Sequence, residues 1–304
     1  MSIRDSFRPN APCPCGKNKR AKDCCMTKKR EWYKEPADIN PKGLPSGISN
    51  PGCYLKDQKN CCDKISKEHY ISQTVLKDKE FNGTVAISGL KWIPENTYKR
   101  MTTPNLVANI LCKRHNEALS DLDNVAGRFI RLIGDIDKDF NNDKPKSSFS
   151  LFAGEDIERW MIKTLLNLVY AKHIQGPTNV ELWKRLLFSE NLMPSGWGLY
   201  IEVQEQIYHN SFFEFTAIIR EDTKEVVGAY ALFNNFKFIL FLNNMKIDKS
   251  KLIHRPRTLI FSQNGIQKII ELSWKSTTHQ SYVEFTRAGK YDGDAPNIPV
   301  LPII

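Results

Sequence analysis

The sequence predicts an α+β protein: two cysteine-rich units in the first 137 residues, then a larger C-terminal α+β domain with an antiparallel sheet. Three observations carry this. Four cysteines fall within residues 13–25, as Cys13-Pro14-Cys15 and Cys24-Cys25. Four more, Cys53, Cys61, Cys62 and Cys112, are interleaved with His69 and His115 around a strand-like run, Val85 to Ile93. Beyond residue 150, apolar residues first recur at helical spacing and then alternate in β-rich segments.

The first unit, residues 1–35, is a hairpin around one metal ion. Two thiolate pairs separated by a short spacer are what a tetrahedral Zn²⁺ site needs. Cys-x-Cys and Cys-Cys pairs are poor disulfide partners for each other, and nothing in the sequence suggests secretion. The run Cys13-Pro-Cys-Gly-Lys-Asn-Lys-Arg-Ala-Lys-Asp-Cys24-Cys25 resembles the SEC-C motif, a zinc hairpin appended to many proteins. That resemblance implies zinc on Cys13, Cys15, Cys24 and Cys25, and an adaptor role without a reaction of its own. Where the motif usually reads Gly-Ser-Gly, this chain has Gly16-Lys17-Asn18. Asn tolerates the left-handed conformation of the missing glycine, so the turn is expected to survive.

Between Arg4 and Glu35 lie ten basic residues against Asp5, Asp23, Glu31 and Glu35, within a chain of net charge +10. A basic concentration of this kind suits a polyanion, with Lys17, Lys19, Arg20 and Lys22 as the candidate phosphate contacts. A basic surface without a specific partner has the same composition. Residues 36–50 hold Pro36, Pro41, Gly43, Pro45 and Gly47 and read as a linker.

The second unit, residues 51–137, carries the candidate chemistry. In order it shows Cys53, Cys61-Cys62, Glu68-His69, a strand, then Cys112-Lys113-Arg114-His115-Asn116 opening a helix. Cys-x-x-His at a helix start points two ligands at one ion, and Cys53 with either Cys61 or Cys62 would complete the set. This order resembles the HNH endonucleases, built on the ββα-metal fold, over about residues 50–125. The resemblance implies a structural zinc on Cys53, Cys61, Cys112 and His115. It favours Cys61 through the spacing from Cys to His. It also implies His69 as general base, and Glu68 and Asn116 as ligands of one catalytic Mg²⁺ or Mn²⁺. Asn116 stands where the family has a metal-binding His, and an Asn carbonyl oxygen suits Mg²⁺. The middle Asn of the family pattern would be Asn105 or Asn109. A neutral imidazole near its ordinary pKa of ~6.5 is a competent proton acceptor at pH 7.

A polar stretch from Asp137 to Ser150 marks a second boundary. In the domain over 150–304, Ile157, Trp160, Met161, Leu165, Leu168 and Val169 line one face of a helix over Glu155–His173. Gly176-Pro177 ends it, and a second helix is expected over Val180–Phe188. Strands follow over Gly198–Val203, Phe212–Arg220, Val226–Leu232 and Phe236–Leu242, with Asn234-Asn235 as one turn. Further strands near Thr258–Phe261 and Ile270–Leu272 are expected to extend the same sheet. This domain shows no metal-ligand spacing, phosphate loop or catalytic triad, and His173, His209, His254 and His279 stand isolated.

No apolar run approaches the ~20 residues of a membrane span, and the first residues lack a hydrophobic signal core. A cytoplasmic protein without a membrane partner is therefore expected. The whole reading is a nuclease acting on nucleic acid, DNA before RNA. The architecture implies an effector of restriction or anti-phage systems, with a regulatory or sensor protein as further partner. The rival reading is a non-catalytic zinc protein that binds nucleic acid or serves as an adaptor.

Overall fold

At the N-terminal end the chain folds back on itself through a bridge between Pro12 and Arg20, with the Cys13 amide donating to the Lys19 carbonyl. The left-handed residue of this turn is Gly16 (φ +79°). Asn18, expected to take that conformation, does not. A computed structural model describes residues 8–94, 96–188, 193–202, 213–233, 236–244, 252–275, 281–286 and 300–302. The Asn234-Asn235 turn, His209 and His279 lie outside the described residues, as do Arg4 and Asp5 of the basic segment.

Strand β1 (Ile65–His69) is followed by a short helix α1 (Gln73–Lys77), strands β2 (Val85–Ser88) and β3 (Lys99–Met101), then β4 (Val107–Cys112). Helix α2 (Lys113–Phe140) starts directly after β4. β1 and β4 pair antiparallel, with Ile65 opposite Cys112 and His69 opposite Val107, interrupted by a bulge between Ser66 and Glu68. Two strands and a helix are thus brought together, with α1, β2 and β3 inserted between the strands. Leu119, Leu122, Ala126, Phe129, Ile130 and Ile133 recur along α2 at helical spacing and bury one stripe. Gly127 lets α1 approach α2 closely: a Cβ there would meet the Thr74 hydroxyl at 2.5 Å.

Strand β5 (Ser148–Ala153) runs straight into helix α3 (Gly154–Tyr170), followed by α4 (Val180–Phe188), β6 (Gly198–Glu202), β7 (Phe213–Ile219), β8 (Val226–Phe233) and β9 (Phe236–Phe241). Then come β10 (Leu252–His254), β11 (Thr258–Gln263), β12 (Ile266–Ser273), β13 (Tyr282–Thr286) and β14 (Val300–Pro302). A five-stranded sheet in the order β10-β6-β9-β8-β7 is antiparallel throughout, as the alternating segments lead one to expect. β11 and β12 do not extend it. They form a separate four-stranded sheet, β13-β11-β12-β5, in which β13 and β5 run parallel to their neighbours. The stretch read as an interdomain boundary therefore ends in a strand of that second sheet. β14 pairs parallel with β2, beside β3.

The helix expected to be amphipathic is instead central. Every residue of α3 from Gly154 to Leu168 is buried, including Glu155, Asp156, Glu158, Arg159, Lys163 and Asn167. Each of these polar groups has a partner across the chain. Asp156 accepts from the Ala37 amide of the linker and from Arg159. Glu158 binds Arg255 and the Leu199 amide, and Glu155 accepts from the Lys275 amide. Buried charges paired in this way avoid the desolvation cost of isolated ones. One apolar core runs from Ile39 through α2 and α3 to Phe285, so the second unit and the C-terminal region are continuous in space.

Candidate functional site

Two four-residue clusters stand out. Cys13, Cys15, Cys24 and Cys25 form one, and Cys53, Cys61, Cys112 and His115 the other; in each, all ligand atoms lie within 4.8 Å of one another. A tetrahedral Zn²⁺ with Zn–S of ~2.3 Å and Zn–N of ~2.0 Å separates its ligand atoms by about 3.5–3.8 Å. The Cys15–Cys24 and Cys24–Cys25 sulfurs are 3.5 and 3.6 Å apart. In the second cluster Nδ1 of His115 lies 3.5, 3.7 and 3.2 Å from the sulfurs of Cys53, Cys61 and Cys112. Both donor sets fit a metal ion such as zinc.

The electrostatics agree with ligand duty. Burial, assisted by the neighbouring Arg114, holds the His115 imidazole down at about 4, so its Nδ1 lone pair is available at neutral pH. The other ring nitrogen donates to Oε1 of Gln58 at 3.0 Å, the outer bond that fixes tautomer and ring orientation at metal sites. Hydrogen bonding to Cys25 brings Cys15 down to about 4, while burial pushes Cys13 up to about 11 and Cys53 up to about 12. A shared cation is what lets such crowded thiols ionise together. Of the two candidates Cys61 and Cys62, the structure brings Cys61 into the cluster. The Cys62 sulfur instead accepts from the Arg114 amide at 3.4 Å.

The first cluster is anchored to the rest of the chain. Arg128 of α2 donates to the carbonyls of Cys15 and Pro14, and its guanidinium lies 4.3 Å from the centre of the Phe152 ring. The Leu151 amide of β5 also donates to Pro14. Trp32 packs edge-on against Phe149 of β5 at 5.3 Å. Lys17, Lys19, Arg20 and Lys22 are all exposed, and Arg20 is bonded to Asp23 at 2.7 Å.

Glu68 and His69 end β1, and Asn116 is bonded to the same strand. Glu68 is 3% exposed. Its Oε1 is 2.7 Å from the Lys163 ammonium and accepts from the Asn167 amide at 3.0 Å. The expectation of an open Mg²⁺ ligand is therefore corrected: this carboxylate is already held by a cation of the chain's own. The same ammonium reaches both Asp123 oxygens at 2.7 and 2.6 Å, and Asp123 also accepts from the Ser72 hydroxyl. Burial disfavours the ammonium, but Asp123 and Glu68 more than offset it and hold the Lys163 pKa above its ordinary value. Two carboxylates share one ammonium, and burial pushes the Glu68 carboxyl up despite Lys163.

Asn116 donates its amide to the Ser66 hydroxyl at 2.9 Å and the Lys67 carbonyl at 3.2 Å, tying the first turn of α2 to β1. His69 is half-buried, and its Nε2 is enclosed without a hydrogen-bond partner. Burial lowers its pKa, partly opposed by the charge of Asp123. Asn105, in a short turn before β4, and Asn109, on β4, are both exposed. Lys163 and Asp123 were not singled out by sequence reasoning. An acidic residue two turns beyond Asn116 on the helix that opens with Cys112-x-x-His115 was the one available signal.

No helix among the described residues is long and apolar enough to cross a membrane. No protein-family model, curated protein or solved structure matches this chain.

Proposed function

We propose that the β1–β4–α2 unit is an HNH-type endonuclease acting on DNA phosphodiester bonds, with both four-ligand clusters as structural zinc sites. The observation that carries this reading is His69: a neutral imidazole whose Nε2 is unpaired, at the end of β1, a strand that Asn116 ties to α2 beside the Cys3His cluster. In hydrolysis Nε2 would take a proton from water as the water oxygen attacks phosphorus and the ester P–O bond breaks. Because Nε2 is enclosed, that step requires the site to open on substrate.

A Mg²⁺ or Mn²⁺ ion would neutralise phosphate charge in such a reaction. Glu68 and Asn116 do not fit that role as they stand, since Glu68 is engaged by Lys163 and Asn167 and Asn116 gives its amide to β1.

The second reading is the non-catalytic one, with the unit retained as a zinc-stapled scaffold for nucleic-acid or partner binding. Lys163 favours it, because its ammonium already stands on Glu68. Incubating the purified protein with plasmid DNA, with and without Mg²⁺ or Mn²⁺, separates the two. The nuclease reading expects nicking that falls by ~10²–10⁴-fold in His69→Ala while DNA affinity holds. Binding without cleavage of DNA or RNA under any divalent ion leaves the scaffold.

A further inference from the structure

The insertion between β1 and β4 builds a second feature of its own. The connection from β2 to β3, the turn after α3 and the end of β7 enclose a cleft of about 950 Å³. Its walls include Leu90, Tyr98 and Ile219, and among the described residues its lining carries Lys91. Tyr98 is 50% exposed and Trp92, on the same connection, 43% exposed. Lys99 stands over the Trp92 ring at 5.4 Å. Half-exposed aromatic rings present faces on which another planar group can stack. Aromatic faces interleaved with cations are how proteins hold unpaired bases and their phosphates.

One side of the cleft is polar in a useful way. His173 lines it, with both ring nitrogens buried and without hydrogen-bond partners. Burial holds this imidazole below its ordinary pKa. The ring of His173 also meets Tyr70 edge-on at 4.6 Å. Tyr70 follows His69, so the cleft adjoins the strand end that carries the proposed base.

We propose that this cleft binds the unpaired bases of a single-stranded polynucleotide, with one base stacked on Tyr98 and a phosphate on Lys91 in the cleft, and the strand continuing over Trp92 and Lys99, which lie outside the lining on the same stretch of chain. The inference rests on nucleic acid being the substrate, and goes beyond it by assigning strand state and the residues that read it. Tyr98→Ala and Trp92→Ala change exposed side chains, so the fold should be kept.

The test is fluorescence anisotropy of the full chain with labelled oligothymidine and oligouridine of about 20 nucleotides, each beside a duplex of equal length, a span exceeding one stacking site. Wild type should prefer the single strands, and the DNA and RNA arms report which sugar is accepted. Each aromatic substitution should weaken single-strand binding by roughly 5- to 150-fold, as the loss of one stacked base does. Duplex binding should change little. Single-strand affinity unchanged in the Tyr98→Ala, Trp92→Ala double variant overturns the proposal, as does wild-type preference for duplex. Wild-type cleavage with unchanged single-strand affinity in that double variant sinks this inference and leaves the nuclease. Loss of binding in the variants, with no cleavage by wild type, does the reverse.

Discussion

Replacing Lys163 with methionine removes the ammonium that Glu68 and Asp123 share. In the folded chain Lys163 is 1% exposed, with its ammonium 2.7 Å from Glu68 and 2.6–2.7 Å from both Asp123 oxygens. The methionine fills most of the volume, so the cost is electrostatic. Glu68 keeps only the Asn167 amide, whereas Asp123 retains about a fifth of its side-chain surface in water and the Ser72 hydroxyl. The uncompensated charge is thus chiefly that of Glu68. Breaking a buried pair from one side costs about 3–5 kcal/mol. At ~2–4 °C per kcal/mol for a protein somewhat smaller than this one, the melting temperature should drop by roughly 6–20 °C.

The pH dependence gives an independent check. Burial already pushes Glu68 up, and without Lys163 it rises further. A carboxyl whose folded pKa lies above its unfolded value binds protons more readily in the folded state. The penalty is therefore largest at neutral pH and shrinks as pH falls through the folded pKa. Adding Glu68→Gln to Lys163→Met should recover part of the loss, because an amide at that position carries no charge to strand. Urea unfolding and thermal melts across the acid range measure both. A loss below ~1 kcal/mol at pH 7, with no pH dependence, would refute the shared-ammonium account.

Three other outcomes are expected. Elemental analysis should find two zinc ions per chain, one for each cluster; Cys61→Ser should lose one of them and destabilise β4 and α2, while Cys62→Ser should keep both. Charge reversal at Lys17, Lys19 and Lys22 should weaken DNA binding at low salt and flatten its salt dependence by about one unit of slope for each phosphate no longer neutralised; unchanged binding would turn the hairpin's exposed face towards a protein partner. Burial lowers the His69 pKa, so this imidazole takes up its proton at a lower pH than an ordinary one. Any cleavage should persist to more acidic pH than an ordinary imidazole allows, and an acid limb at or above ~6.5 would remove His69 from the base role.

How much of this was legible in the sequence depends on the range over which each feature is decided. Both candidate metal clusters were readable because their donor residues come as close pairs, Cys13 with Cys15, Cys24 with Cys25, Cys112 with His115. Short spacing on a turn or at a helix start leaves little freedom in where such side chains meet. Helix α4 and the antiparallel strands from β6 to β9 were readable for the same reason, since alternation and helical repeats are local. The resemblance favoured Cys61 over Cys62, and the fold places the Cys61 sulfur in the buried cluster and the Cys62 sulfur against the Arg114 amide.

What the tertiary structure alone decided concerns partners far apart in the chain. α3 carries an apolar stripe in the sequence, and nothing local says that its charged face is buried too. That burial is possible because Lys163 meets Glu68 and Asp123, Glu158 meets Arg255, and Asp156 meets the Ala37 amide, each from a distant segment. The same holds for β5, whose parallel partner β12 lies more than a hundred residues on and turns an apparent boundary into the edge of a sheet. The sequence alone thus determined which residues can bind metal and, for strongly periodic segments such as α4 and β6 to β9, which are helix or strand. Which carboxylates are open and which are neutralised is set by desolvation, and desolvation is a property of the assembled fold.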